Sequence, residues 1–194
     1  MTTATADAPA PQARERYSAF TLTVHWLTFA LVITQVLLVN IADDADRDMR
    51  GWWMNMHKSV GATILLITLA RLASRLTGHR AIPLPDGTPS WQKLVARLNH
   101  VGLYIMLIAM PLMGWIASTA AQRPIIFYNL FRWPDLPFVP HSRDLARDVM
   151  DIHETGWRIL AVLMVLHVLG ALKHYFVDKD NVLQRMVPFL PRHA

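Results

Sequence analysis

The stretch 153–174, HETGWRILAVLMVLHVLGALKH, carries three histidines in an otherwise apolar helical pattern. His153 and His167 are 14 residues apart and His167 and His174 are 7 apart, so at about 100° per residue all three imidazoles return to nearly one face. At about 1.5 Å per residue, His153 and His167 stand roughly 21 Å apart along the axis, most of a hydrocarbon core of about 30 Å. One helix therefore offers an imidazole, a metal ligand and proton carrier, at each of two depths. A lone histidine in a buried helix is ordinarily a hydrogen-bonded core residue. Inside a membrane an ionisable side chain is costly and functional by default, and partners at matching depths on other helices decide for ligation.

The rest of the chain supplies those helices. It has 194 residues, 53% hydrophobic and 17% charged, enough for one domain of four membrane spans. Without cysteine it can form neither a disulfide framework nor a thiolate or iron–sulfur site, so His, Met or carboxylate must hold any metal. Hydropathy places the spans at 19–41, 55–76, 98–120 and 154–177, an all-α four-helix bundle in a membrane. Residues 1–16 read as a disordered tail, 17–188 as the transmembrane domain and 189–194 as a second tail. The first apolar run is too long for a signal-peptide core and lacks a small-x-small cleavage site, so it reads as a retained span. Pro111 and Gly114 predict a kink in the third span. Residues 78–91 form a Pro/Gly-rich loop, and in the longer connection 121–152 the segment 143–152 reads as a short interfacial helix.

Charge sets the expected orientation. Flanks on the side of the N-terminus hold 11 Lys/Arg against 5 Asp/Glu, and those on the other side 8 against 9. The positive-inside rule puts both termini in the cytoplasm, an N-in/C-in arrangement. Basic flanks facing anionic lipid account for the net charge of +5 without a nucleic-acid partner.

With that orientation the histidines sort by depth. His25 lies six residues into the first span, about 9 Å below the cytoplasmic face. His167 lies roughly 21 Å down the fourth span, which is about 9 Å from the same face. His57 and His153 both sit at the outer mouths of their helices. Two pairs at two levels share the fourth helix. Zinc would require a third or fourth N, S or O ligand at each pair, and no Asp, Glu or Cys neighbours His25 or His167 in sequence. Haem iron requires only two axial donors on opposite sides of a flat macrocycle, and an apolar bundle houses it. Filled on both faces, such a haem transfers electrons by the outer sphere. Its propionates require cations, and Arg71, Arg75, Lys173 and Lys58 lie at suitable helix ends, with interfacial snorkelling the alternative role for each.

The stretches YSAFTLTVHW, MNMHKSVGATILLITLARLASRL, HVGLYIMLIAMPLMGW, HETGW and LHVLGALKHYFVDKDNVLQRMVP resemble, in order and spacing, the bacterial cytochrome b561 family over about residues 17–188. The resemblance implies two haem b groups, His25 and His167 ligating one iron and His57 and His153 the other. It places Lys173 and His174 where the family keeps polar groups near the cytoplasmic haem and a quinone. It also implies electron transfer in the bacterial inner membrane between a small donor and ubiquinone, superoxide being the donor of the best-characterised type. Lys58 and Arg158 flank the outer ligands and could steer a small anion. The acidic first outer loop (Asp43, Asp44, Asp46, Asp48) argues against a strongly basic funnel.

Two alternatives stay open at this level: an electron-relay anchor subunit for a partner dehydrogenase or hydrogenase, and a haem-free metal carrier. His100, at the start of the third span, is a propionate contact or an interfacial residue. His79, His141 and His193 read as solvated. Tryptophans near span ends (Trp26, Trp52, Trp53, Trp91, Trp157) form an aromatic belt, whereas Trp115 packs inside the third span.

Overall fold

The computed structural model describes residues 16–77 and 82–193. The expected tail, except Arg16, and His79 lie outside the described residues. Four long helices make the fold: α1 Ala19–Asp44, α2 Arg47–Leu76, α3 Ser90–Ala120 and α4 Arg143–Lys173. Each is long and apolar enough to cross a membrane. In hydrocarbon every backbone polar group must be paired within its own segment, which a helix achieves. Hydroxyls inside the spans follow the same rule: Thr28 and Thr34 donate back to the carbonyls of Val24 and Ala30. Ser18 and Ser142 cap α1 and α4, accepting the amides of Thr21 and Leu145 at 3.3 and 3.2 Å.

Three helices overrun the apolar stretches that reveal them in the sequence. α2 begins eight residues before position 55, α3 eight before 98, and α4 eleven before 154. The segment 143–152 is thus the first turns of α4, not a separate interfacial helix. Hydropathy marks only the lipid-facing length, while polar residues such as Arg, Lys and Gln continue a helix well in water. α3 also runs unbroken through Pro111. At its far end α4 passes into a π-helical turn, His174–Asp178, closed by Lys179 at φ 53°.

The helices run up and down. Residues 16–18, 82–89 and 174–193 meet at one end, called here the terminal end. Residues 45–46 and 121–142 lie at the other, the hairpin end. Close backbone packing runs from α1 to α2, α2 to α3 and α3 to α4, with no comparable approach of α4 to α1 or α2 among the described residues. Val32 and Leu38 of α1 with Val60 and Ile64 of α2 form the buried core, joined from the sides by Leu107 and Met164. Leu27, Phe29, Ile33 and Leu37 of α1 are exposed and apolar, as a lipid-facing surface requires.

At the hairpin end the 121–142 connection is built, not irregular. Ile126–Phe127 and Phe131–Arg132 pair as a two-stranded antiparallel hairpin, β1 and β2, with Tyr128 and Asn129 at positive φ in its turn. Asn55 of α2 clamps it, donating to the Ile126 carbonyl at 2.7 Å and accepting the Ile126 amide at 2.9 Å. The Tyr128 amide donates to Ser59 at 3.0 Å. At the terminal end residues 181–193 fold back. Trp26 donates to the Met186 carbonyl, Arg185 to the Pro83 carbonyl and Gln184 to the Pro191 carbonyl. Within the C-terminal tail, Pro191 and His193 are tied back by hydrogen bonds to Gln184 and Asn181. His193 itself is half-buried against Tyr175 and pairs through its backbone with Asn181, correcting its reading as solvated.

Candidate functional site

Two imidazole pairs bridge helices whose backbones do not approach closely. His25 of α1 and His167 of α4 face each other with ring centroids 6.0 Å apart, and His57 of α2 and His153 of α4 with centroids 6.4 Å apart. Helix arithmetic explains the matched levels. His25 lies six residues from the start of α1 and His167 six from the end of α4, while His57 and His153 each lie ten from the starts of α2 and α4. Both pairs thus sit inside the bundle, the second with about 15 Å of helix beyond it.

At the terminal end all four helices contribute. Arg71 of α2 brings its Nη2 to 3.4 Å from His25 Nδ1. Arg71 and Arg75 both lie over the Tyr104 ring of α3, at 5.6 and 5.7 Å from its centroid, a cation–π arrangement. His100, one helical turn before Tyr104, sets its ring 5.0 Å from that of His167 and points Nδ1 at the Ala96 carbonyl, 2.7 Å away. Sequence reasoning put His100 at a helix mouth; because α3 starts at Ser90 it stands ten residues in and faces the site. Tyr104 was missed altogether, and its only sequence signal was the spacing of four from His100. The Tyr104 hydroxyl and Arg71 Nε are buried without a hydrogen-bond partner, and among the described residues no carboxylate pairs with Arg71 or Arg75. Cations in that setting call for an anion from elsewhere.

At the hairpin end the His153 ring packs on Gly114, where a Cβ would meet Cε1 at 3.7 Å. The carbonyls of Gln35 and Met110 lie beside the His57 and His153 rings, yet neither closes a hydrogen bond, and Nδ1 of each ring is buried without a partner. Lys58 donates to the Arg123 carbonyl at 3.1 Å, and Arg158 is exposed on α4. Asn55 and Ser59, unforeseen in the sequence, hold the hairpin on the face of α2 turned away from His57. Trp115 donates to the Pro134 carbonyl and stacks edge-on with Trp133 beneath the same loop.

Lys173 and His174, six and seven residues beyond His167, are engaged with carboxylates. Lys173 binds both oxygens of Asp178 at 2.7 Å, and His174 Nδ1 lies 2.7 Å from Asp180 Oδ2. His174, Asp178 and Asp180 form the one group of three potential metal donors among the described residues, already occupied by Lys173. Neither imidazole pair has a third donor, so the donor set does not suit zinc.

The pairs suit a metal held between two axial imidazoles. Two metal–nitrogen bonds of about 2 Å, with about 1.1 Å from each nitrogen to its ring centre, set centroids about 6.2 Å apart. The 5.0 Å between His100 and His167 is too short for that arrangement. Loose spacing of α4 from α1 and α2, buried cations and a purely imidazole donor set define a membrane four-helix cytochrome of the b type.

The comparisons agree. A family model described as prokaryotic cytochrome b561 matches residues 16–189, and the chain belongs to that family. It is 31% identical over 178 residues to cytochrome b561 homolog 2 of Escherichia coli (strain K12), covering 89% of this chain and 92% of the relative. It is 29% identical over 181 residues to the probable superoxide oxidase CybB of Yersinia pestis, covering 90% and 97%. Cytochrome b562 of Cereibacter sphaeroides is 25% identical over 178 residues, covering 88% and 94%. The protein is thus a bacterial inner-membrane, multi-pass electron-transfer protein of a b-haem family.

Proposed function

We propose that the protein carries two haem b groups, one between His25 and His167 and one between His57 and His153, and moves electrons from superoxide to ubiquinone. The observation carrying this reading is that each imidazole pair spans two helices whose backbones stand apart, at centroid distances of 6.0 and 6.4 Å. Bound haem supplies a one-electron centre at each level. The residues then have separate tasks. The four histidines orient the two centres, and Arg71 and Arg75, with Tyr104, offer donors to a carboxylate at the terminal end. At the other end Lys58 and Arg158 supply positive charge.

With both termini cytoplasmic, the His57/His153 pair faces the periplasm. A haem held there would take one electron from each of two superoxide anions, which would leave as O2, and one ubiquinone would accept both electrons with two protons from water to become the quinol. The similarity to a probable superoxide oxidase over nearly the whole chain supports this donor. Pyridine haemochrome assay tests the reading: two haems per chain are expected, falling to one, with the same centre lost, in His25→Ala and in His167→Ala. One haem in the unaltered protein, or different centres lost in the two variants, overturns it.

A further inference from the structure

We infer that the hairpin β1–β2 is a membrane-surface anchor, with Leu130, Phe131 and Phe138 set among the phospholipids of the leaflet at the hairpin end. That leaflet is the periplasmic one in the orientation proposed above. The level of the hairpin along α2 carries the inference. Asn55, which clamps Ile126, and Ser59, which accepts the Tyr128 amide, lie two residues either side of His57 and about 160° around the helix from it. The hairpin therefore stands beside α2, within about 3 Å of the level of His57, and not on top of the bundle. The apolar stretch of α2 begins at position 55, and that of α3 ends at 120. α3 meets the same connection at its own boundary, where the Leu136 amide donates to Thr119 at 3.3 Å. An element at that height lies where hydrocarbon gives way to headgroups.

The side chains match that level. Leu130, Phe131 and Phe138 are 78%, 51% and 77% exposed, and they continue an apolar surface. Leu66, seven residues along α2 from Ser59 and so on nearly the same face, is exposed within the span. Phe131 and Trp133 lie 5.2 and 5.3 Å from Phe127, an aromatic cluster of the kind that gathers at a membrane–water boundary. Polar groups are paired, as a medium poor in water demands. Tyr128 sets its hydroxyl 3.0 Å from Thr63 Oγ1, roughly 12 Å into the apolar length that starts at position 55. The amides of Asn129, Leu130 and Trp133 donate to the carbonyls of Ile126, Phe127 and Ile125, and Pro134 and Pro137 have no N–H to leave unpaired. Arg132 and Asp135 neutralise each other. A protein arriving from solution meets the bundle end-on, whereas the hairpin stands at its flank, where lipid is the neighbour already present.

The chain has no cysteine, so a single introduced thiol reports on one place. Haem-loaded Leu130→Cys, Phe138→Cys and Asp148→Cys are placed in phospholipid nanodiscs, which leave both membrane faces open, and timed against a charged, membrane-impermeant maleimide. Asp148, exposed in the polar first turns of α4, marks water at the same end. Leu130→Cys and Phe138→Cys should react at least tenfold more slowly than Asp148→Cys. In nanodiscs of the unaltered protein, a phospholipid bearing a diazirine on its acyl chain should attach on illumination to the peptide 123–140. A rate for Leu130→Cys equal to that of Asp148→Cys would put the hairpin in water and overturn the inference. Absence of lipid attachment to 123–140 would overturn it as well, and disulfide-linked dimers of Leu130→Cys would then give the surface to a second copy of the chain. None of these results bears on haem ligation or on the electron acceptor, so the proposed function is tested separately.

Discussion

Asn55→Ala separates hairpin docking from the integrity of the bundle. Asn55 makes two hydrogen bonds to the Ile126 backbone, at 2.7 and 2.9 Å, and a third to Asn129 at 3.1 Å. The Ile126 carbonyl keeps Ser59 as a donor at 3.3 Å, but its amide loses the acceptor that Asn55 provided. A bond removed so that one partner remains unsatisfied costs about 1–3 kcal/mol, and the site is only part-buried, so local opening of the hairpin should become roughly 5- to 140-fold more frequent. Hydrogen exchange of the peptide covering 123–133 should accelerate by that factor while exchange in the helices is unchanged. Superoxide-driven reduction should be unchanged, because Asn55 and Ser59 face away from His57 around α2. Unaltered exchange in 123–133 would refute the claim that Asn55 is the clamp. Loss of the His57/His153 haem would show that hairpin docking also holds the helices around that pair together.

Other substitutions probe the remaining parts. His174→Ala should keep both haems, since His174 is engaged with Asp180 and stands a further seven residues along α4 from His167; disappearance of the terminal-end haem on quantitation would make it a ligand. Lys58→Gln with Arg158→Gln should slow superoxide-driven reduction at low salt and leave quinol-driven reduction nearly unchanged, because charge steering acts within a Debye length of about 8 Å at physiological ionic strength. A stopped-flow rate indifferent to salt and to both charges would remove the steering role and favour a relay subunit fed by a partner protein. Gly156→Leu should shift the optical spectrum or potential of the His57/His153 centre. Even a Cβ there would sit 2.7 Å from Met110 Sδ, so a larger side chain pushes α4 off α3 one turn from His153. A spectrum and potential unchanged in that variant would show that the methionines absorb the added volume.

By itself the sequence determined the number of helices, their lipid-facing lengths and the two levels of paired histidines. Each of these follows from a regular period: apolar runs count hydrocarbon thickness, and fixed rise and rotation convert the spacing of 14 between His153 and His167 into depth and face. Spacing along one helix carries no information about what approaches from another. Only the tertiary structure decided that the backbone of α4 stands off α1 and α2, that His100 and Tyr104 turn into the terminal-end site, and that Asn55 anchors a hairpin at the hairpin end. The helix starts at Arg47, Ser90 and Arg143 were illegible for a related reason: water satisfies their polar side chains, so hydropathy falls to loop values while the backbone remains helical. The Arg71 contact with His25 was likewise invisible, because it joins residues 46 positions apart whose meeting depends on the packing of α1 against α2.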